Sequence, residues 1–382
     1  MASILFLSSM NGGAWGGSEG LWSRTAMRLA AEGHDVACAA FDWPGKERRF
    51  AELRAAGCEV LPLPNWRRRK TSVLDRLIHE ALAKPAQTLA VRRLPWGRFD
   101  HVAFSQGAWD EVTTQPFRRL DRLARTYSIA YHSYREEGTP RRPDELRRII
   151  RGARANLFAS GRGREVLAER LGMDPPNAMV IHSPLSFEAP VEEPAWPDDA
   201  GPLRLVGVGT LHYDTKAQDV LLRALADERW RARDWTLELY GEGPEAADIE
   251  ALARTLGLEG RVALRGHIAD VAAALAPAHL LVQPSRVEAA PISVHEAMAM
   301  ARPCLVTRIG DMPRWICDGE SGFVADRPEV AEVGGALERA WEARPRLREM
   351  GRRARADLLA RFPADPVGEL AKLLLAAAAR AR

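Results

Sequence analysis

Short apolar runs alternate with amphipathic stretches along the whole chain. The first run, residues 3–9, leads into a Gly-rich turn, after which apolar residues recur at helical spacing up to Gly33. Further apolar runs predict strands at 34–41, 57–64, 99–106, 126–133, 155–160 and 178–184. Because these strands alternate with helices, the first half predicts a parallel, doubly wound α/β sheet.

The same pattern restarts after residues 186–202, which hold four prolines and five acids without any periodicity. Apolar runs then predict strands at 203–211, 236–244, 262–266, 279–285, 303–307 and 322–326. The pattern predicts an N-terminal domain over 1–185, a linker over 186–202 and a C-terminal domain over 203–363. A last helix, about 364–382, is expected to pack back on the first domain. Two such domains would face one another across a cleft at the carboxyl ends of their strands.

Residues 66–96 interrupt the pattern with a basic, amphipathic stretch. Its apolar residues Val73, Leu77, Ile78 and Leu82 lie at helical intervals. Such a stretch can meet an acceptor or a membrane surface. An ordinary surface helix explains the pattern equally well.

The composition is that of a globular protein of two domains, with 382 residues, 46% hydrophobic residues and a net charge of +3. No apolar run reaches the length of a membrane span, and the N-terminus lacks the basic region of a signal peptide. The four cysteines form no metal-binding or redox motif. A cytoplasmic protein is therefore expected.

The small net charge hides two different halves. Residues 1–190 carry 29 Lys and Arg against 21 Asp and Glu, whereas residues 191–382 carry 25 against 30. An ordinary solvated surface explains the excess of basic residues in the first half. The alternative is that these residues attract phosphates, either at the inner face of an anionic membrane or on a polyanionic substrate. Nucleic acid is not an expected partner, because no zinc finger or basic motif with interleaved aromatic residues is present.

The turn after the first strand contains Gly12, Gly13, Gly16 and Gly17. Such a turn lets backbone N–H groups approach an anionic ligand, and Ser18 is expected to cap the following helix. The turn departs from the G-x-G-x-x-G fingerprint of dinucleotide-binding domains. By itself it predicts only a tight turn.

Residues 281–301 hold the densest group of candidate functional residues. Glu288 follows a predicted strand, Pro291 stands at the expected start of a helix, and Glu296 lies within that helix. Two carboxylates at this spacing can reach different parts of one ligand. The N–H groups near Ile292 and Ser293 are expected to be available to an anion.

The run PSRVEAAPISVHEAMAMARPCLVTRIGDMPRWICDGESGF resembles the donor-binding signature of the fourth family of retaining glycosyltransferases. These are GT-B enzymes, with two Rossmann-like domains, that use nucleotide-sugars. Upstream, VGTLHYDTKAQDVLLRAL and LYGEGPE are similar to two further motifs of that family, glycosyl transferases group 1, and the N-terminal GGxxGGSE turn also fits. The resemblance is strong over 203–326 and weak over 60–125.

The resemblance implies a role for individual residues. Lys216 would meet the donor diphosphate, Glu288 the hydroxyls of the transferred sugar, and Glu296 the ribose. His132 would lie near the donor sugar at the reaction centre. The implied catalytic residues are Lys216, Glu288 and His132, and the implied donor-binding residues are Gly16, Gly17, Gly209, Thr210, Gly241, His267, Ile268, Ala290, Pro291, Ile292, Ser293 and Glu296.

This sequence departs from the family pattern at three places, the mildest of which is Ala289, Ala290 and Pro291, where the proline matches a variant of that pattern. Thr210 stands where the family has an arginine that clamps the diphosphate, and Ala217 replaces the glycine after the lysine. Losing one charge-assisted phosphate contact typically costs about 1.5–3 kcal/mol. Arg286 or Arg265 is the candidate to compensate.

The implied function is transfer of a sugar, with retention of configuration, from a UDP- or GDP-sugar to an acceptor in polysaccharide or glycoconjugate biosynthesis. The acceptor would be a sugar, a lipid-linked glycan or a small molecule. No D-x-D motif is present and the family needs no catalytic metal, so neither a metal nor another cofactor is expected. Two alternatives stay open: an epimerase or hydrolase of nucleotide-sugars on the same fold, and a GT-B partner protein without catalytic activity.

Overall fold

The structure is a computed structural model that describes residues 1–10, 15–65, 82–107 and 109–380. It divides into two compact units. The first comprises Met1–Pro184 with Asp365–Arg382, and the second comprises Leu185–Ala364. Each unit is described by itself below.

Within its described residues, the first unit contains a parallel sheet of seven strands in the order β3-β2-β1-β4-β5-β6-β7. This is the doubly wound, Rossmann-like order, which reverses direction beside β1. The strands are β1 Ser3–Ser8, β2 Asp35–Phe41, β3 Glu59–Leu63, β4 His101–Gln106, β5 Tyr127–Tyr131, β6 Asn156–Phe158 and β7 Ala178–Val180.

Helices cover both faces of this sheet and bury the apolar positions of its strands. β1 and β4 are almost wholly buried because they lie at the centre, where both faces are covered. The helices among the described residues of the first unit are α1 Gly17–Ala31, α2 Glu47–Ala55, α3 Lys84–Arg92, α4 Leu120–Leu123, α5 Pro143–Gly152, α6 Gly161–Leu171 and, near the end of the chain, α16 Pro366–Ala379.

The helix α16 belongs to the first unit although it follows the second in sequence. It contacts α1, and Leu370, Ala371 and Leu374 are buried in a cluster with residues of α1 and β1. Asp365 caps it by accepting a hydrogen bond from Gly368 N at 2.8 Å, and it also pairs with Arg28 at 2.5 Å. The last helix therefore closes one face of the first sheet.

The second unit, all of whose residues are described, contains six parallel strands in the order β10-β9-β8-β11-β12-β13. They are β8 Leu203–Val208, β9 Trp235–Tyr240, β10 Val262–Gly266, β11 Leu280–Gln283, β12 Cys304–Thr307 and β13 Gly322–Ala325. The helices are α7 Tyr213–Lys216, α8 Gln218–Leu225, α9 Glu228–Arg231, α10 Ala246–Thr255, α11 Val271–Leu275, α12 Ile292–Ala299, α13 Met312–Trp315, α14 Val330–Glu342 and α15 Leu347–Arg361. The predicted fold class, two Rossmann-like α/β domains, is confirmed.

Residues 186–202, the expected linker, belong to the second unit. The guanidinium of the fully buried Arg302 donates to the Ala195 carbonyl at 2.7 Å and lies over the Trp196 ring at 5.2 Å. Arg352 pairs with Glu193 at 2.7 Å. A buried guanidinium requires several acceptors, and the backbone of this segment supplies one of them.

The predicted amphipathic stretch 66–96 is described only in part. Residues 66–81, which include the basic run Trp66 to Lys70, lie outside the described residues. The described part forms α3, where Pro85 stands in the first turn because it needs no hydrogen-bond donor there.

Candidate functional site

The candidate site of the second unit lies at the carboxyl ends of β8 and β11. After β8 the chain forms α7, which ends at Lys216. Ala217 then adopts a left-handed conformation, with φ of 54°, so that α8 can begin at Gln218 in a new direction. This conformation explains why the related pattern has glycine here, since an L-residue with a side chain is strained in it.

Lys216 and Glu288 form an ion pair. Lys216 Nζ lies 2.5 Å from Glu288 Oε2, and only 21% and 11% of the two side chains are exposed. Glu288 Oε2 also accepts a hydrogen bond from Gln283 Nε2 at 2.8 Å. The structure thus brings together two of the three implied catalytic residues, with opposite charges in a partly desolvated place.

Two glycines let the backbone of this region pack closely. A Cβ atom on Gly241 would lie 1.9 Å from the Gly209 carbonyl oxygen, and a Cβ on Gly310 would lie 2.1 Å from the Glu288 carbonyl oxygen. Gly310 also has φ of 60°. Gly209 and Gly241 thus lie side by side, and Gly310 packs against the backbone of Glu288. The sequence predicted no role for Gly310.

Pro291 is the N-cap of α12, as its position in the sequence predicted. With φ of −81° and ψ of 72°, Pro291 forms an inverse γ-turn in which Ile292 N donates to Ala290 O at 2.9 Å. The Ile292 N–H group therefore already has an acceptor, and the expectation that it is available to an anion is wrong. Ser293 stands in the first turn, where helix geometry leaves N–H groups without acceptors inside the helix.

Glu296 is 3% exposed and lies inside α12. Its Oε1 accepts a hydrogen bond from Ser186 N at 2.9 Å. His267 is exposed and Ile268 packs against the core, and both follow Gly266, whose carbonyl accepts from Gly241 N at 2.8 Å. His267 and Ile268 therefore lie in the loop after β10, and Glu296 lies in the helix after β11.

Thr210 is exposed, and its carbonyl accepts a hydrogen bond from Gln218 Nε2 at 2.9 Å. Neither candidate to replace the missing arginine is free of other partners. Arg286 forms two bonds with Asp219, at 2.7 and 2.9 Å, and Arg265 binds Glu238 at 2.5 Å. The expectation that one of them supplies the second positive charge is not supported by this geometry.

The Gly-rich turn of the first unit is described only after residue 14, so Gly12 and Gly13 lie outside the described residues. Gly16 is the N-cap of α1, and Gly17 begins the helix. Ser18 is therefore inside the first turn, and the prediction that it caps the helix is wrong. A Cβ on Gly16 would lie 2.7 Å from Met10 Cε, so Gly16 leaves room for that side chain.

His132 directly follows β5 in the first unit. Its Nε2 lies 2.9 Å from Ser105 Oγ at the end of β4, and burial lowers its pKa to about 4. The imidazole is therefore neutral at pH 7, because the uncharged form is the one that tolerates desolvation. A neutral histidine has one ring nitrogen that donates a hydrogen bond and one that accepts.

Among the described residues, no three His, Cys, Asp or Glu side chains converge as metal ligands would. In the same part of the chain, no helix combines the length and the apolar character needed to cross a bilayer.

Residues 202–343 match the family model of the glycosyl transferases group 1. The match covers the strands and loops that carry Lys216, Glu288 and Glu296. An N-acetyl-alpha-D-glucosaminyl L-malate synthase of Bacillus anthracis is 31% identical over 134 residues, 35% of this chain and 35% of that protein. A GDP-mannose-dependent alpha-(1-6)-phosphatidylinositol monomannoside mannosyltransferase of Mycolicibacterium smegmatis is 30% identical over 210 residues, 50% of this chain and 54% of that protein. The chain thus spans about a third of the length of the first of these two relatives and about half of the length of the second.

The fold comparison covers almost the whole chain. The crystal structure of Anabaena Alr3699/HepE in complex with UDP superposes with a TM-score of 0.72 at 17% identity, over 98% of this chain and 99% of that one. At this identity the likeness concerns the fold. The two Rossmann-like α/β domains therefore match those of GT-B structures, as the resemblance implied.

Proposed function

We propose that this protein is a retaining glycosyltransferase that moves a sugar from a nucleotide-diphosphate donor, a UDP- or GDP-sugar, to an acceptor without a metal ion. The Lys216–Glu288 pair at the end of β8 and β11 supports this most directly, because it stands in the part of the chain that matches the glycosyl transferases group 1. In this proposal residues 203–363 bind the donor, and residues 1–185 with the helix near 364–382 bind the acceptor. The protein would act in the cytoplasm.

Donor binding follows from the chemistry of the named side chains. Lys216 is a compact charge on a flexible stem and would leave Glu288 to neutralise the diphosphate. The first turn of α12 adds N–H donors and the positive end of the helix dipole. Glu288 would accept from sugar hydroxyls, Glu296 from the ribose, and the backbone at His267 and Ile268 would meet the base.

The reaction proposed for this site keeps the anomeric configuration. The bond from the anomeric carbon to the diphosphate oxygen breaks, and the acceptor oxygen forms its bond on the same face of the sugar. The acceptor proton passes to the leaving diphosphate. Lys216 and the N–H groups of α12 stabilise the charge that develops on that leaving group, which is how fixed donors lower a barrier. Neutral His132 would hydrogen-bond the donor sugar.

The charges of the second unit support a local mode of donor binding. Residues 191–382 carry more acids than bases, so their overall charge repels a nucleotide diphosphate. Attraction must therefore come from Lys216 and from the donors of α12 at short range. The basic first half would serve an acceptor or an anionic membrane, and its run at Trp66 to Lys70 lies outside the described residues.

The proposal is tested by incubating the purified protein with a panel of UDP- and GDP-sugars and candidate acceptors. Release of the nucleotide diphosphate, mass spectrometry of the product and NMR of its anomeric proton measure transfer and configuration. Activity that survives EDTA supports a metal-independent reaction. Sugar release or epimerisation without an acceptor would favour the hydrolase or epimerase alternative, which the names of the relatives do not favour.

A non-catalytic GT-B protein is the second candidate, and Thr210 is the observation that favours it. The position that carries an arginine in the related pattern is exposed and uncharged here, while Arg286 and Arg265, the two candidates to replace that arginine, bind carboxylates. Calorimetry with UDP and GDP separates the candidates. The absence of any heat of binding for either nucleotide would favour the non-catalytic protein.

A further inference from the structure

Gln283 ends a strand that is otherwise wholly apolar. β11 reads Leu280, Leu281, Val282 and Gln283, and the glutamine is only 5% exposed. A buried amide is costly unless both of its ends form hydrogen bonds. The partners of Gln283 therefore indicate why a polar residue stands at this position.

Both ends of the Gln283 amide have partners from the candidate site. Nε2 donates to Glu288 Oε2 at 2.8 Å, and Oε1 accepts from Ser293 Oγ at 2.5 Å. An ionised carboxylate can only accept, so the amide must turn its NH₂ group toward Glu288. Ser293, in the first turn of α12, holds the amide in that orientation from the other side.

Lys216 and Gln283 donate to the same oxygen of Glu288. When Lys216 leaves for the donor diphosphate, the carboxylate loses this ion pair, whereas the Gln283 bond requires no movement. Gln283 can then keep Glu288 in one rotamer. Because Lys216 and Gln283 both bind Oε2, Oε1 is the oxygen of Glu288 that neither of them uses.

We propose that Gln283 is a positioning residue that holds Glu288 in the orientation that binds the transferred sugar, and that Ser293 fixes Gln283 for this task. The inference rests on the proposed function and adds a residue to it. It also specifies the sugar chemistry, because a carboxylate held in this way selects a sugar with a hydrogen-bond-donating hydroxyl or amino group at the matching position. Sites that bind a hydroxyl through a buried polar group strongly reject analogues that lack it.

The test separates binding of the nucleotide from binding of the sugar. Gln283→Leu removes both hydrogen bonds at similar volume. Its affinity for UDP or GDP, measured by calorimetry, is expected to stay within threefold of the parent, while kcat/KM for the nucleotide-sugar falls about 10- to 100-fold, as for loss of one hydrogen bond to a charged group. Ser293→Ala should likewise leave the affinity for UDP or GDP nearly unchanged and lower kcat/KM by a smaller factor, because it removes only the contact that holds Gln283.

Gln283→Glu gives a readout that a merely structural role would not move. The new carboxylate cannot donate to Glu288 when ionised, but it can when protonated. The activity of this variant relative to the parent should therefore rise as the pH falls from 7 to 5. Gln87→Leu is the matched control, because Gln87 is also 5% exposed and lies in the first unit, where Nε2 donates to Pro64 O at 3.3 Å.

Three results would overturn the inference, and they are distinguishable. Gln283→Leu with parental values for both quantities would show that the contact does not matter. Equal losses of nucleotide and nucleotide-sugar affinity in Gln283→Leu and Ser293→Ala, with no pH response in Gln283→Glu, would reduce Gln283 to a structural residue. A parent protein that binds and turns over no nucleotide-sugar of the panel would overturn the proposed function itself, and this inference with it.

Discussion

Lys216 Nζ lies 2.5 Å from Glu288 Oε2, although 72 residues separate the two along the chain. The pair forms because α7 and the loop after β11 meet at the carboxyl edge of one parallel sheet. Each residue neutralises the other in the unliganded protein. In the proposed function, donor binding would exchange this ion pair for contacts with the diphosphate and the sugar.

Lys216→Ala is expected to lower kcat/KM for the nucleotide-sugar by about 10²- to 10³-fold, because a fixed charge at the leaving group is removed. Initial rates of nucleotide diphosphate release measure the effect. Lys216→Arg keeps the charge and should retain more activity than the alanine variant. A Lys216→Ala protein as fast as the parent would refute the role of this lysine.

Thr210→Arg is expected to tighten the binding of UDP or GDP by about 10-fold or more, since a charge-assisted hydrogen bond contributes about 1.5–3 kcal/mol. The site is exposed, so the longer side chain meets little resistance from the core. Calorimetry at moderate salt measures the affinity. Thr210→Gln, of similar reach but without charge, is the control and should change little; an equal gain in both variants would contradict an effect of charge.

Gly241→Ala and Gly334→Ala form a contrasting pair. A Cβ on Gly241 would collide with the Gly209 carbonyl at 1.9 Å, so this variant should lose stability and nucleotide binding. A Cβ on Gly334, inside α14, would meet nothing within 4 Å, and its alanine variant should be more stable by about 0.5–1 kcal/mol with unchanged activity. Urea denaturation measures both changes. Equal stabilities of the two variants would show that the predicted clash is relieved without cost.

Acidification is expected to destabilise the protein through histidines that are buried in the neutral form. Burial lowers the pKa values of His101 and His279 from 6.5 to about 4. The unfolded chain therefore takes up these protons first, and stability that is fully present above pH 6.5 is lost as the pH falls toward 4, by about 3 kcal/mol for each group.

Urea denaturation at pH 7.0, 5.5 and 4.5, together with NMR titration of the imidazole protons, checks this expectation. His279→Asn is the control, because Asn can replace Nδ1 as the acceptor for Arg204 N and does not titrate. Its free energy of unfolding should fall less between pH 7.0 and 4.5. Imidazole signals of His101 and His279 that titrate near pH 6.5 would contradict the prediction.

The strands and the site motifs could be predicted because both depend on short segments of the sequence. A buried parallel strand is a continuous apolar run, and every predicted strand of both sheets corresponds to one in the structure. Pro291 at the start of α12 follows from its lack of an N–H group. The Ser18 cap failed because Gly16, two residues earlier, satisfies the same geometry without a side-chain bond.

The sequence did not predict which partners the charged and polar side chains bind. That Arg286 binds Asp219, and that Gln283 joins Glu288 to Ser293, depends on which loops converge at a sheet edge. The left-handed conformation of Ala217 could not be predicted either, because glycine indicates such a conformation and alanine does not. Ala301 is a second example, with φ of 55°.

The sequence by itself determined two doubly wound domains and the set of residues from which a donor site can be built, because the burial period and turn chemistry are properties of short segments. Only the tertiary structure decided that Lys216 is held by Glu288, that Arg286 and Arg265 bind carboxylates, and that residues 185–202 belong to the second unit. Those contacts join residues far apart in the chain. Their geometry is fixed by how strands and helices pack, which no local pattern records.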